Sequence, residues 1–122
     1  WLALRNQPAQ RWAVRRPVTT LGAAVNCDIV LPGLAAQHAE IRFENNRYIL
    51  YDLSSGNSWV NGRQITANML KDGFTVRLDS TELIFSINEC LLQEILRYKD
   101  AKERKESVLH LAVVKVALHN GV

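Results

Sequence analysis

The chain has 122 residues, with 15 Lys and Arg against 12 Asp and Glu (net +3), 48% hydrophobic residues and 22% charged. That length suits one domain of ordinary size with a short appendage, and it is enough to bury a core. The balance excludes extended disorder, collagen-like repeats and a disulfide-stapled miniprotein.

From Trp1 to Ile87 the chain runs in short apolar stretches separated by turn residues, the pattern of strands. The expected strands are Trp1–Leu4, Arg11–Val14, Val18–Leu21, Asp28–Val30, Ala39–Phe43, Arg47–Asp52, Trp59–Val60, Arg63–Ile65, Thr75–Leu78 and Glu82–Ser86. Ile41 and Phe43, then Ile49, Tyr51 and Leu53, alternate with polar or boundary positions, as half-buried strands do. Asn61-Gly62 between two short runs signals a two-residue hairpin, because both residues accept positive φ, and Asn45-Asn46 is a softer version of that cue. Many short strands with close-set turns predict an all-β sandwich over residues 1–87.

After Ile87 the periodicity changes. Ser86-Ile87-Asn88-Glu89 has capping-box spacing, with Asn88 as a competing cap, and Leu91, Leu92, Ile95 and Leu96 follow at helical spacing. Residues 99–106 are nearly all charged, with opposite charges four apart that support an exposed helix. A charged amphipathic helix is therefore expected over 88–107, its start docked and its end solvated. Val108-Leu109-His110-Leu111-Ala112 resembles the Leu-His-x-Ala opening of an ankyrin repeat, and Asn120-Gly121 suits a helix end. A second helix over 108–122, or the start of a further helical element, is the expectation there. The apolar stretch from Val108 to Leu118 is too short to cross a bilayer and contains His110 and Lys115. With Trp1 first and no signal-like segment, the chain reads as a piece of a longer protein.

Charge is uneven. Residues 1–27 hold Arg5, Arg11, Arg15 and Arg16 and no acid, whereas residues 28–87 hold five basic and seven acidic side chains. An arginine-rich start suits phosphate, nucleic acid or an acidic partner. It equally suits the solvated face of an early strand pair, and without interleaved stacking aromatics no nucleic acid is expected. Cys27 and Cys90 have no metal-like or redox spacing, which points to reduced thiols and an intracellular setting, cytoplasmic or nuclear. His110 and His119 lack partners at ligand spacing, and nothing supplies an acid, a base and an orienting group together. No enzymatic activity, metal or cofactor is expected. Trp59 either starts a strand and packs inward beside Trp12, or stands exposed as an interface anchor.

Leu21-Gly22, Asp28-Ile29-Val30-Leu31 and His38-Ala39-Glu40-Ile41 resemble, in order and spacing, the forkhead-associated (FHA) domain. Asp52-Leu53-Ser54-Ser55-Gly56-Asn57-Ser58-Trp59-Val60-Asn61-Gly62 is similar to that family's Asp-Leu-x-Ser-x-Asn-Gly-Thr-x-Val-Asn-Gly signature, one residue short. Leu70-Lys71-Asp72-Gly73-Phe74-Thr75-Val76-Arg77-Leu78 resembles its Leu-x-x-Gly-Asp-x-Ile-x-Leu segment. The resemblance implies a sandwich of about eleven strands whose loops at one end read partner peptides, commonly through phosphothreonine. It assigns Gly22, His38, Asn61 and Gly62 to architecture; the candidate peptide contacts are Gln37, Ser55, Asn57 and Ser58, with Arg63 as a displaced cation. The family's Arg after the glycine is Ala23 here, and its Ser-Arg-x-His falls on Ala35-Ala36-Gln37-His38. Losing two or three charge-assisted hydrogen bonds removes about 3–9 kcal/mol from phosphate recognition, enough to turn a micromolar site millimolar or worse. The expected function is a non-catalytic protein-interaction module, a degenerate FHA domain whose protein or peptide partner need not carry phosphothreonine. Two alternatives are a phosphopeptide reader that uses a displaced Arg63 or Lys71, and a self-assembly module that forms homo-oligomers.

Overall fold

The computed structural model describes residues 1–104. Eleven strands and one helix follow in order: β1 (Leu2–Leu4), β2 (Arg11–Trp12), β3 (Val18–Gly22), β4 (Ile29–Val30), β5 (Ala39–Glu44), β6 (Arg47–Asp52), β7 (Ser58–Val60), β8 (Arg63–Gln64), β9 (Ala67–Leu70), β10 (Thr75–Leu78), β11 (Thr81–Phe85) and α1 (Glu89–Arg104). They form a six-stranded sheet in the order β2-β1-β11-β10-β7-β8 and a five-stranded sheet in the order β4-β3-β5-β6-β9. The expected all-β sandwich with a helical extension is what forms.

Period-two alternation builds the core between the sheets. Leu21, Ala39, Ile41, Leu50 and Leu70 point inward from one sheet, and Leu2, Val60, Val76, Leu78, Leu83 and Phe85 from the other. Two tight turns match their sequence cues. Asn45 and Asn46 have φ of 52° and 60°, and Asn61 and Gly62 have 51° and 83°, so each pair takes the doubly left-handed conformation that matches hairpin twist. The Asn61 carboxamide also accepts the Thr75 N–H at 2.9 Å, tying this hairpin to β10.

Two features differ from the expectation. Strand β9 carries no strand signal in its sequence, because Ala-Asn-Met-Leu lacks β-branched and aromatic residues; it forms by pairing Ala67–Leu70 along Tyr48–Tyr51 of β6. Trp59 does not pack inward beside Trp12. Its neighbours Ser58 and Val60 take the inward positions, so Trp59 faces outward, where the Arg77 guanidinium lies 4.1 Å from its ring centre.

The outer face of the six-stranded sheet is apolar at Ala3 and Ile84, and α1 covers it with Leu91, Leu92, Ile95 and Leu96, beside Trp1. Asn88 is the helix cap: its side-chain oxygen accepts the Leu91 N–H at 2.7 Å. Ser86 is excluded from that role because it is buried and its hydroxyl is engaged by Asp72 and the Asn88 carbonyl. The expected second helix over 108–122, with His110 and His119, and the charged side-chain pairs of residues 99–106 lie outside what is described. No described helix is long and apolar enough to cross a membrane.

If α1 is an integral layer of the domain, Leu92→Ala, at a fully buried position, lowers stability by about 2–5 kcal/mol in urea unfolding, as core truncations do. A loss below ~1 kcal/mol would mean that the helix only rests on the sheet.

Candidate functional site

Three loops meet at one end of the sandwich: residues 23–28 after β3, 31–38 after β4, and 53–57 after β6. Backbone pairing brings the first two together. Ala23 and Ala24 N–H donate to the carbonyls of Ala35 and Ala36 at 3.0 and 3.2 Å. Gly22 permits this approach, since a Cβ there would sit 2.2 Å from the Ala36 oxygen and 2.9 Å from the Ala35 oxygen. The Cys27 thiol, free and buried, adds a contact of 3.2 Å to the same Ala36 carbonyl. Gln37 spans the two loops, its amide donating to the Asn26 side chain at 3.3 Å.

His38 joins the third loop. It is 1% exposed, its Nδ1 accepts the Ala35 N–H at 3.2 Å, and its Nε2 lies 2.7 Å from the Asn57 carbonyl. With Nδ1 accepting, the proton sits on Nε2 and is donated to Asn57, so one neutral imidazole serves both loops. The Asn57 carbonyl also receives the Asp79 N–H at 2.9 Å, and the Leu53 N–H reaches the His38 carbonyl at 2.9 Å.

Asp52 organises the third loop from below. Its carboxylate accepts the N–H and hydroxyl of Ser54, the Gly56 N–H at 2.8 Å and the Ser58 hydroxyl at 2.6 Å. Burial alone would raise this carboxyl's pKa, but the four hydrogen bonds outweigh it and lower the pKa from 3.8 to about 2. The loop then closes on itself. The Ser54 hydroxyl accepts the Asn57 N–H at 3.0 Å, and the Gln64 amide caps the Gly56 carbonyl at 2.6 Å. Ser55 and Gly56 turn the chain with φ of 62° and 115°.

Ser55, Asn57 and Gln37 are thus exposed at one end, above the support from Gly22 and His38. A cleft of about 500 Å³ opens beside Ser55 and Gly56, with Gln64 and Thr66 on its far wall. Ser58 is not at this surface. It is fully buried with its hydroxyl on Asp52, so it supports the loop and offers nothing to a peptide. Arg63 sits opposite Val60 at the Asn61-Gly62 turn, the end of β7 remote from loop 53–57. Lys71 lines a different cleft, with Asn46, Tyr48, Phe74 and Ile87, at the β5–β6 turn end. Sequence reasoning missed Asp52 and Gln64. The Asp-x-Ser spacing at 52–54 was the available signal for the first, since such side chains cap nearby backbone. Gln64 had none, because its partner lies across a hairpin. No cluster of metal-ligating side chains occurs among the described residues.

The model of the FHA domain family matches residues 19–79. The chain belongs to that family, whose members are protein–protein interaction modules. No curated protein matches it. Among solved structures it is similar to the FHA domain of FhaA, crystallised with the intracellular domain of Rv3910, at 28% identity and a TM-score of 0.63, covering 68% of this chain and 94% of that one. It is similar to Mycobacterium tuberculosis EmbR in complex with a low-affinity phosphopeptide, at 27% identity and a TM-score of 0.67, covering 71% of this chain but 24% of EmbR. The FHA domain of the Chlamydia trachomatis CT664 protein is 25% identical with a TM-score of 0.62, over 72% of this chain and 96% of that one.

Two measurements check the supports of the site. Because Asp52 titrates lower in the folded chain, its contribution is complete above pH 4 and is lost as the pH falls from about 4 towards 2. Urea midpoints across that range should decline, and the decline should be shallower in Asp52→Ala. His38→Ala strands the Ala35 N–H and takes one of two donors from the Asn57 carbonyl, an expected loss of about 1–3 kcal/mol in unfolding free energy. Unchanged stability in this variant would remove the imidazole bridge from the account.

Proposed function

We propose that this FHA domain binds a protein partner through the end formed by its three loops, without requiring phosphothreonine. One observation carries the reading: residues 23–28, 31–38 and 53–57 include no Arg or Lys, and Asp28 is their one acid. A phosphothreonine dianion needs charge-assisted donors to replace its hydration. Here the side chains after Gly22 and before Gln37 are alanines, which offer none. What the loops expose instead is Val25 at 94%, Leu53 at 47%, and the polar Gln37, Ser55 and Asn57. Apolar contact framed by hydrogen-bonding amides and a hydroxyl fits an uncharged peptide segment.

The displaced-cation alternative has less support, since Arg63 and Lys71 stand away from this end and Arg77 is stacked on Trp59. FhaA with a protein domain and EmbR with a phosphopeptide illustrate what related domains bind.

A degenerate phosphothreonine peptide library, followed by NMR, should give no specific binding. Chemical-shift changes confined to residues 22–26, 32–38 and 54–58, and abolished by phosphatase, would overturn the proposal. Gain of function offers a second test. Combining Ala23→Arg, Ala35→Ser and Ala36→Arg should raise phosphothreonine-peptide affinity by roughly a hundredfold or more, given about 1.5–3 kcal/mol per charge-assisted bond.

A further inference from the structure

Among the described residues, Arg11, Arg15 and Arg16 gather on one flank of the sandwich, beside the Asp28 end of the first loop. There β2, an edge of the six-stranded sheet, stands beside β4, an edge of the five-stranded sheet. A cleft of about 510 Å³ opens between them, lined by Arg11, Trp12, Arg15, Arg16, Thr19 and Asp28, among others. Three arginines thus share it with one carboxylate.

That carboxylate is already committed. Asp28 accepts the N–H and hydroxyl of Thr20 at 2.9 and 3.1 Å, and takes one Arg16 bond at 3.1 Å. Arg11 is held by the Pro8 carbonyl at 2.9 Å and by Glu89 of α1 at 3.3 Å. Arg16 uses a single guanidinium nitrogen, and its side chain is 73% exposed. Arg15 is exposed and has no carboxylate partner among the described residues; its guanidinium lies 5.6 Å from the Trp1 ring centre. Each guanidinium carries five N–H donors in a planar fork. Most of those on Arg15 and Arg16 remain available, in a segment whose first 27 residues contain no acid.

We infer that this arginine cleft is a second binding surface, taking an acidic, extended segment of a partner protein. Strand edges form both sides of the cleft, which suits an extended chain running between them. Anionic side chains on that chain would meet the open forks of Arg15 and Arg16. A long nucleic acid fits less well. It presents phosphates far beyond a cleft of this size, and residues 28–87, which form most of the surrounding sandwich, carry seven acids against five bases. The cleft meets the loop end at Asp28, whose carboxylate is already bonded, so a failure of this inference leaves the phosphothreonine-independent reading intact.

The test is NMR titration of the whole chain with an oligoglutamate peptide, a matched peptide with phosphoserines in place of the glutamates, an oligolysine control and a short DNA duplex. The expected result is shift changes at residues 11–16, 19–20 and 28–29 with one or both anionic peptides, weakening as salt rises, and none with oligolysine. Binding of both peptides assigns the site to anionic side chains in general, and binding of the second alone assigns it to phosphate. Arg15→Glu with Arg16→Glu should weaken binding at least about tenfold, the worth of one charge-assisted bond, with the β5 and β6 resonances unmoved to show an intact fold. Shifts scattered over the surface, undiminished affinity in the double variant, or tighter binding of the duplex through the same residues would each overturn the inference.

Discussion

The loop end of this domain depends on one imidazole. His38 receives the Ala35 N–H on one ring nitrogen and donates to the Asn57 carbonyl from the other, from a position with almost no solvent access. Without it the Ala35 N–H would lose its acceptor, at a cost of about 1–3 kcal/mol, and the Asn57 carbonyl would keep only the Asp79 N–H. Gly22 works with it. By admitting the Ala35 and Ala36 carbonyls to within a Cβ's own volume, it lets the second loop descend far enough for the histidine to reach the third.

The loop end therefore has two layers, bonded supports and exposed side chains. Beneath the surface lie Gly22, His38, Asp52 and Ser58, all bonded to backbone or to one another. Above it lie Val25, Gln37, Leu53, Ser55 and Asn57, whose side chains can change with little effect on the support. The family signature belongs mainly to the lower layer. This chain keeps that layer, belongs to the FHA family, and carries alanines at 23, 35 and 36.

The six-stranded sheet shows the same economy on its outer face. Its apolar half, Ala3 and Ile84, is sealed by α1, and its polar half pairs Trp59 with Arg77 across β7 and β10. Arg11 links sheet and helix through Glu89, so the flank that holds the arginine cleft is braced by the same helix that completes the core.

Most strands were legible from alternation and turn chemistry, because a strand with one buried face repeats every two residues whatever it pairs with. The Asn45-Asn46 and Asn61-Gly62 turns were legible because positive φ restricts the choice of residue locally. Strand β9 was not, since Ala-Asn-Met-Leu becomes a strand only when β6 offers its edge. Likewise Ser58 read as a surface hydroxyl until the pleat turned it inward onto Asp52, and Trp59 read as a candidate core residue until that same pleat turned it outward. The amino-acid order by itself determined the sandwich, the cap region at Asn88 and the absence of Arg and Lys from the three loops, since these rest on periodicity, local conformation and residue identity. Only the tertiary structure decided that Asp52 and Gln64 hold the third loop, that Arg63 and Lys71 stand away from it, and that Arg11, Arg15 and Arg16 share one cleft. Each of those depends on which strands become neighbours, a long-range pairing that no local pattern encodes.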